Sequence, residues 1–128
     1  MPKQRFFSPD LPEPISHFAD AVRSGDLLFI SGIVSLDRDG NVLGEGDAIE
    51  QTRVILTHMR TILTMNGATF EDVVKVTVYL TNIEDRARIN PVRQEFFGAA
   101  RPASTLVEVS RLVRPELLVE IEAIAVLG

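Results

Sequence analysis

VVKVTVYL, residues 73 to 80, reads as a strand with two unlike faces. Its density of β-branched residues suits a pleated, half-buried surface. Side chains alternate along a strand, so Val74, Val76, Val78 and Leu80 fall on one side and Lys75, Thr77 and Tyr79 on the other. The helical stretches on either side of this strand then set the fold class.

Upstream, Asp47 followed by Glu50 has the spacing of a helix cap. Behind it Ile55, Leu56, Met59, Ile62 and Leu63 recur at three, four and seven, which is one helical face. Asn66-Gly67 supplies the left-handed stop. Downstream, a second helix is predicted over Ile83 to Phe97, with Asn82 as cap and Gly98 as stop. Pro91 removes one of its backbone bonds, which predicts a kink or restart at Asn90-Pro91.

Toward the N-terminus, FADAV (18–22) and LLFISGIV (27–34) read as strands joined by the loop Arg23-Ser24-Gly25-Asp26. LDRDGNVLGEGD, rich in Asp, Gly and Asn, reads as a loop. Residues 1–16, punctuated by Pro2, Pro9, Pro12 and Pro14, read as an extended arm. Two strands close the chain, at about 104–112 and 117–127, around the turn-like VRPE. The order ββ-α-β-α-ββ implies an α+β fold with a mostly antiparallel sheet. No repeat or linker interrupts it, so residues 1–128 are expected to form a single domain.

Composition excludes whole classes of function. Asp and Glu outnumber Lys and Arg by 18 to 13, a formal charge of −5, so no nucleic-acid partner is expected. No apolar run approaches the roughly 20 residues of a membrane span, and no membrane partner is expected. The N-terminus lacks the apolar core of a secretory signal, and a cytoplasmic protein is expected. With no cysteine, thiolate chemistry and disulfides are ruled out. His17 and His58 lie too far apart in the pattern to form a metal signature, and there is no phosphate loop or dinucleotide fingerprint. No metal and no cofactor are therefore expected. His58, among polar neighbours in the first helix, is expected at the surface; His17 sits beside Phe18, where a functional part stays open.

The last strand carries Leu118, Glu120 and Glu122 on one face and Val119, Ile121 and Ala123 on the other. Two carboxylates on one face of an otherwise apolar strand need solvent or partners. A monomer would point them outward, and an oligomer could wall them into a cleft.

Five blocks together resemble the RidA (YjgF) family: GDLLFISG (25–32), DVVKVTVYLTNIEDRARIN (72–90), EFFG (95–98), RPASTLVEVSRL (101–112) and VEIEAIAV (119–126). The resemblance implies a chorismate-mutase-like α+β fold, a mixed or antiparallel sheet with two helices on one face. It also implies a homotrimer whose sheets face a central barrel, ligand clefts between subunits, and hydrolysis of reactive imines and enamines to carbonyl compounds and ammonia. Carried over by position, the cleft residues are Ser31, Gly32 and Asn90. The glutamate credited with activating water is Glu120, behind one extra residue in the VRPE turn. The family's cleft tyrosine falls on Phe18, which loses the hydroxyl, and its cysteine on Leu106. The arginine of its P-A-R-S/T pattern falls on Ser104.

An arginine there would grip a substrate carboxylate with two parallel charge-assisted bonds and fix the imine carbon against water. A serine supplies one neutral bond. Arg101 is a poor substitute, lying about 10 Å away along an extended strand and on its other face. Each candidate also has a plainer reading. Ser104 can be an ordinary strand residue, Glu120 a solvated or salt-bridged glutamate, and Asn90 a helix cap before Pro91. Ser31-Gly32 would act through the backbone, because glycine permits close approach. Two functions therefore stand: an imine or enamine deaminase with Glu120 as base, or a non-catalytic trimer binding a small metabolite in the same cleft. An RNA-directed activity is a third, opposed by the acidic balance.

Overall fold

The computed structural model describes residues 2–128. Strand β1 (Lys3–Phe6) lies within the proline-rich arm and pairs antiparallel with β2 (Ala21–Ser24). The two residues Gly25 and Asp26 then turn the chain into β3 (Leu27–Val34). Gly25 takes φ 61°, a conformation that glycine adopts without steric cost. The first strand of this hairpin is thus shifted toward the turn relative to FADAV.

Helix α1 (Ala48–Met65) starts where expected: the Asp47 carboxylate accepts from the backbone N–H groups of Ile49 and Glu50 at 3.0 and 3.1 Å. Ile55, Leu56, Met59, Ile62 and Leu63 are each 0% exposed. Strand β4 (Val73–Leu80) follows a short 3-10 turn, then α2 (Asp85–Phe97), β5 (Ala103–Glu108) and β6 (Val119–Val126). The sheet order is β1-β2-β3-β6-β4-β5. All pairings are antiparallel except β4 with β5, which is parallel because α2 carries the chain across. The α+β architecture is therefore a six-stranded mixed sheet with two helices, whose apolar residues join the buried side of β3, β4 and β6 in one core.

Five local expectations are corrected. Val74 is 45% exposed, while Val73 joins Val76, Val78 and Leu80 in the core. The register of β4 against β6 shifts between Val73 and Lys75, and the extra residue of that bulge turns outward. Helix α2 continues through Pro91 without a restart; Ala87, whose carbonyl loses its bond, is exposed. Asn90 therefore lies inside a helix and caps nothing. Asn82 makes an Asx turn with the N–H of Glu84 at 3.0 Å, and the helix begins two residues later than expected. His58 is buried, because its Nε2 lies 2.8 Å from the carbonyl oxygen of Leu36.

The sheet face turned away from the core carries Lys75, Thr77 and Tyr79 of β4 beside Glu120 and Glu122 of β6. Phe29, on the same face, is 42% exposed. The long β3 and β6 strands bring Glu120 to the rim of this face, opposite Val34.

Candidate functional site

Near the end of β3 the ladder with β6 shifts register between Ile30 and Ile33. Ser31 and Gly32 sit in that irregularity. The Ser31 N–H donates to the carbonyl of Asp20 at 2.9 Å, and its hydroxyl donates to the carbonyl of Ala19 at 2.6 Å. Both bonds anchor the segment leading to β2, so the serine side chain is spent on holding backbone. Gly32 leaves room for a neighbour: a Cβ at this position would overlap Glu120 Oε2 and lie 2.9 Å from its Cδ. Glycine here is a condition for the glutamate to lie across the strand.

Glu120 is half-buried, and that burial pushes its carboxyl above its ordinary pKa, with the charge of Glu122 adding to the rise. Glu122 is itself held by the Tyr79 hydroxyl, which donates to its Oε1 at 2.5 Å. The two carboxylates of β6 thus occupy different environments. Glu122 is tied to a phenol, and Glu120 borders a cavity.

That cavity, about 350 Å³, is lined by Phe18, Ser31, Gly32, Val34 and Glu120 together with arm residues 11–16. Asp20 also touches it, but this buried carboxylate accepts from the N–H of Ser8 at 2.8 Å, fixing the arm to the sheet. A desolvated carboxyl of raised pKa on a largely apolar wall is equipped to take a proton from water and return it.

A second cavity, also about 350 Å³, lies between α2 and the edge strand β5 and is lined by Arg86, Ala87, Asn90, Arg93 and Leu106. Ser104 adjoins it: Arg93 Nη2 donates to Ser104 Oγ at 2.9 Å. The candidates read from sequence are therefore split. Phe18, Ser31, Gly32 and Glu120 share one cavity, whereas Asn90 and Leu106, with Ser104 beside them, belong to the other. His17 and Arg101 line neither.

Arg86 and Arg93 did not emerge from the sequence reading. The signal was present, since positions 86, 90 and 93 share one helical face at the i, i+4, i+7 spacing. Among the described residues, no three His, Cys, Asp or Glu side chains come together as a metal site. No helix among them is long and apolar enough to cross a membrane.

Residues 9–127 match the family model described as Endoribonuclease L-PSP. A RutC family protein of Pyrococcus horikoshii is 42% identical over 123 residues, covering 96% of this chain and 97% of the relative. The 3-aminoacrylate deaminase RutC of Acinetobacter baylyi is 34% identical over 125 residues, 98% of each chain. Among solved structures, E. coli TdcF with bound serine superposes with a TM-score of 0.88 at 29% identity, over 98% of this chain and 99% of that one.

Proposed function

The chain belongs to the RidA (YjgF) family, and from that membership and the Glu120 cavity we propose that it hydrolyses small reactive imines or enamines to a carbonyl compound and ammonia. The observation that carries this reading is the Glu120 carboxyl, desolvated, raised in pKa and lying across Gly32 at the cavity wall. The 3-aminoacrylate deaminase among the relatives supports the reaction class.

In the proposed reaction Glu120 takes a proton from a water molecule whose oxygen attacks the imine carbon. The C=N electron pair moves to nitrogen, which receives that proton, giving a carbinolamine. The C–N bond then breaks with its electrons going to nitrogen, and the hydroxyl proton passes to the departing ammonia. Water and imine are consumed and carbonyl and ammonia formed, so no redox partner or cofactor enters. Phe18 offers a ring to the planar substrate. General base catalysis contributes roughly 10²–10⁴ in rate, a useful factor for a substrate that is already reactive.

The two cavities lie at different edges of one chain, and we place them together across the subunit boundary of a homotrimer. The exposed apolar residues Leu27, Phe29, Val107 and Val126 on the open sheet face favour this assembly. Sedimentation equilibrium should give three times the chain mass.

The reaction is tested with an imine generated in situ by an amino-acid oxidase, following carbonyl release. The protein should accelerate release and Glu120→Ala should not. A protein without effect on any imine would leave the metabolite-binding alternative. RNA cleavage that persists in ultrapure protein and disappears with Glu120→Ala would replace both readings.

A further inference from the structure

Arg93 is a half-buried guanidinium whose pKa burial depresses, yet among the described residues it forms no ion pair. Arginine stays protonated in proteins, so this half-buried charge is carried without a counterion. Ser104 Oγ engages one of its five N–H donors and fixes one edge of the fork. The neighbouring Arg88 of α2 is compensated by Asp85 at 3.3 Å. Arg86, like Arg93, has no carboxylate partner among the described residues, and it lies on the same helical face with Asn90 between them.

No acidic side chain lines the cavity these residues share; Ala87 and Leu106 complete its wall. Two positive charges, one amide and an apolar wall suit a small organic acid. The short Ser104 side chain on β5 makes room for a guanidinium arriving from the helix above it.

We propose that Arg93, oriented by Ser104 and reinforced by Arg86, forms a carboxylate-binding subsite on α2. The subsite would take the acid group of a small 2-imino or 2-oxo acid, and Asn90 would hold its second polar group. The guanidinium is supplied by the helix because the strand position opposite carries serine. As a description of substrate the assignment rests on the deaminase reading, but as a binding site it does not.

The test is calorimetric titration with 2-oxobutanoate and with butanone, which lacks the acid group, alongside turnover of the corresponding imines. Removing a hydrogen-bonded charge partner costs roughly 10- to 100-fold in affinity. Arg93→Ala should weaken 2-oxobutanoate by that factor and leave butanone unchanged. Arg93→Lys, which keeps the charge and loses the fork, should recover part of the affinity. The exposed Arg86→Ala, which disturbs no packing, should give a smaller loss of the same kind. In turnover, Arg93→Ala should raise KM for the acid-bearing imine with kcat little changed, the signature of lost uniform binding.

Glu120→Ala should abolish turnover while keeping 2-oxobutanoate affinity. If the protein turns over no imine but binds 2-oxobutanoate through Arg93, the deaminase reading fails and the subsite stands. If turnover depends on Glu120 while Arg93→Ala and Arg86→Ala bind 2-oxobutanoate like the parent protein, the subsite is overturned. An equal rise in KM for carboxylate-free imines would overturn it too, by showing that Arg93 only supports the fold.

Discussion

Glu120 Oε2 occupies the space that any side chain at position 32 would need, so Gly32 and Glu120 are sterically coupled. Gly32 does not have a positive φ, and its backbone would accept alanine. The consequence of Gly32→Ala therefore falls on the glutamate. The obstructing atoms are the end of a flexible side chain, so Glu120 turns aside and the fold survives. Displacing a general base should lower kcat by roughly 10²–10⁴. Circular dichroism should be unchanged, and an undiminished kcat would show that the overlap does not fix the working position of Glu120.

The two carboxylates of β6 are coupled electrically as well. Desolvation is the larger cause of the raised Glu120 pKa, and the Glu122 charge is the second. Glu122→Gln removes that charge and keeps an oxygen to accept from the Tyr79 hydroxyl. The pKa of Glu120 should fall, and because the carboxylate is the working base, the acid limb of the kcat/KM profile should move to lower pH. An unmoved limb would mean that Glu122 is screened from the site.

Burial of Glu120 also has a consequence for stability. Its folded pKa lies above the unfolded one, so the folded chain binds the proton more tightly. Protonated, the group favours folding relative to its ionised form. That advantage is complete below the unfolded value of about 4.3 and is lost as pH rises through the folded value. Glu120→Gln should therefore match the parent protein in Tm near pH 3 and exceed it at pH 8. A Tm difference that shrinks with rising pH would contradict the assigned burial.

Much of this architecture was legible because periodic signals are local. The α1 face, its Asp47 cap and the opposing faces of β6 follow from spacing alone. Val74 was misplaced because a bulge is set by register against Ile124 and Ala125 of β6, far downstream in the chain, and the β4 sequence alternates regardless. His58 looked like a surface residue because its partner, the Leu36 carbonyl, lies in a loop far away in the chain. For the site, composition and resemblance marked the residue types but not their division between two cavities. Ser104 read as a loss, since the guanidinium that meets it comes from α2 across a loop and carries no strand signature.

Gln51 gave no signal in the sequence, yet its side chain joins three separate segments. It lies in the first turns of α1 and is fully buried. Its Nε2 donates to the carbonyls of Gly44 and Glu116 at 3.1 and 3.0 Å, and its Oε1 accepts from the N–H of Leu118 at 2.8 Å. One amide thus ties the helix start to the loop before it and to the segment entering β6, two residues ahead of Glu120. Gln51→Leu keeps the volume and strands one donor and two acceptors. Each unsatisfied buried group costs about 1–3 kcal/mol, and because the partners are only partly buried a total of about 2–4 kcal/mol is expected. Gln51→Glu should be at least as harmful, since it keeps the acceptor for Leu118 but sets a buried carboxylate against two carbonyl oxygens. Urea denaturation should show both midpoints lowered at unchanged slope. With Glu120 carried on the same segment, kcat of the folded fraction should fall as well. Loss of stability with kcat intact would limit Gln51 to joining helix and loop, and leave the placement of Glu120 to Gly32 and the sheet.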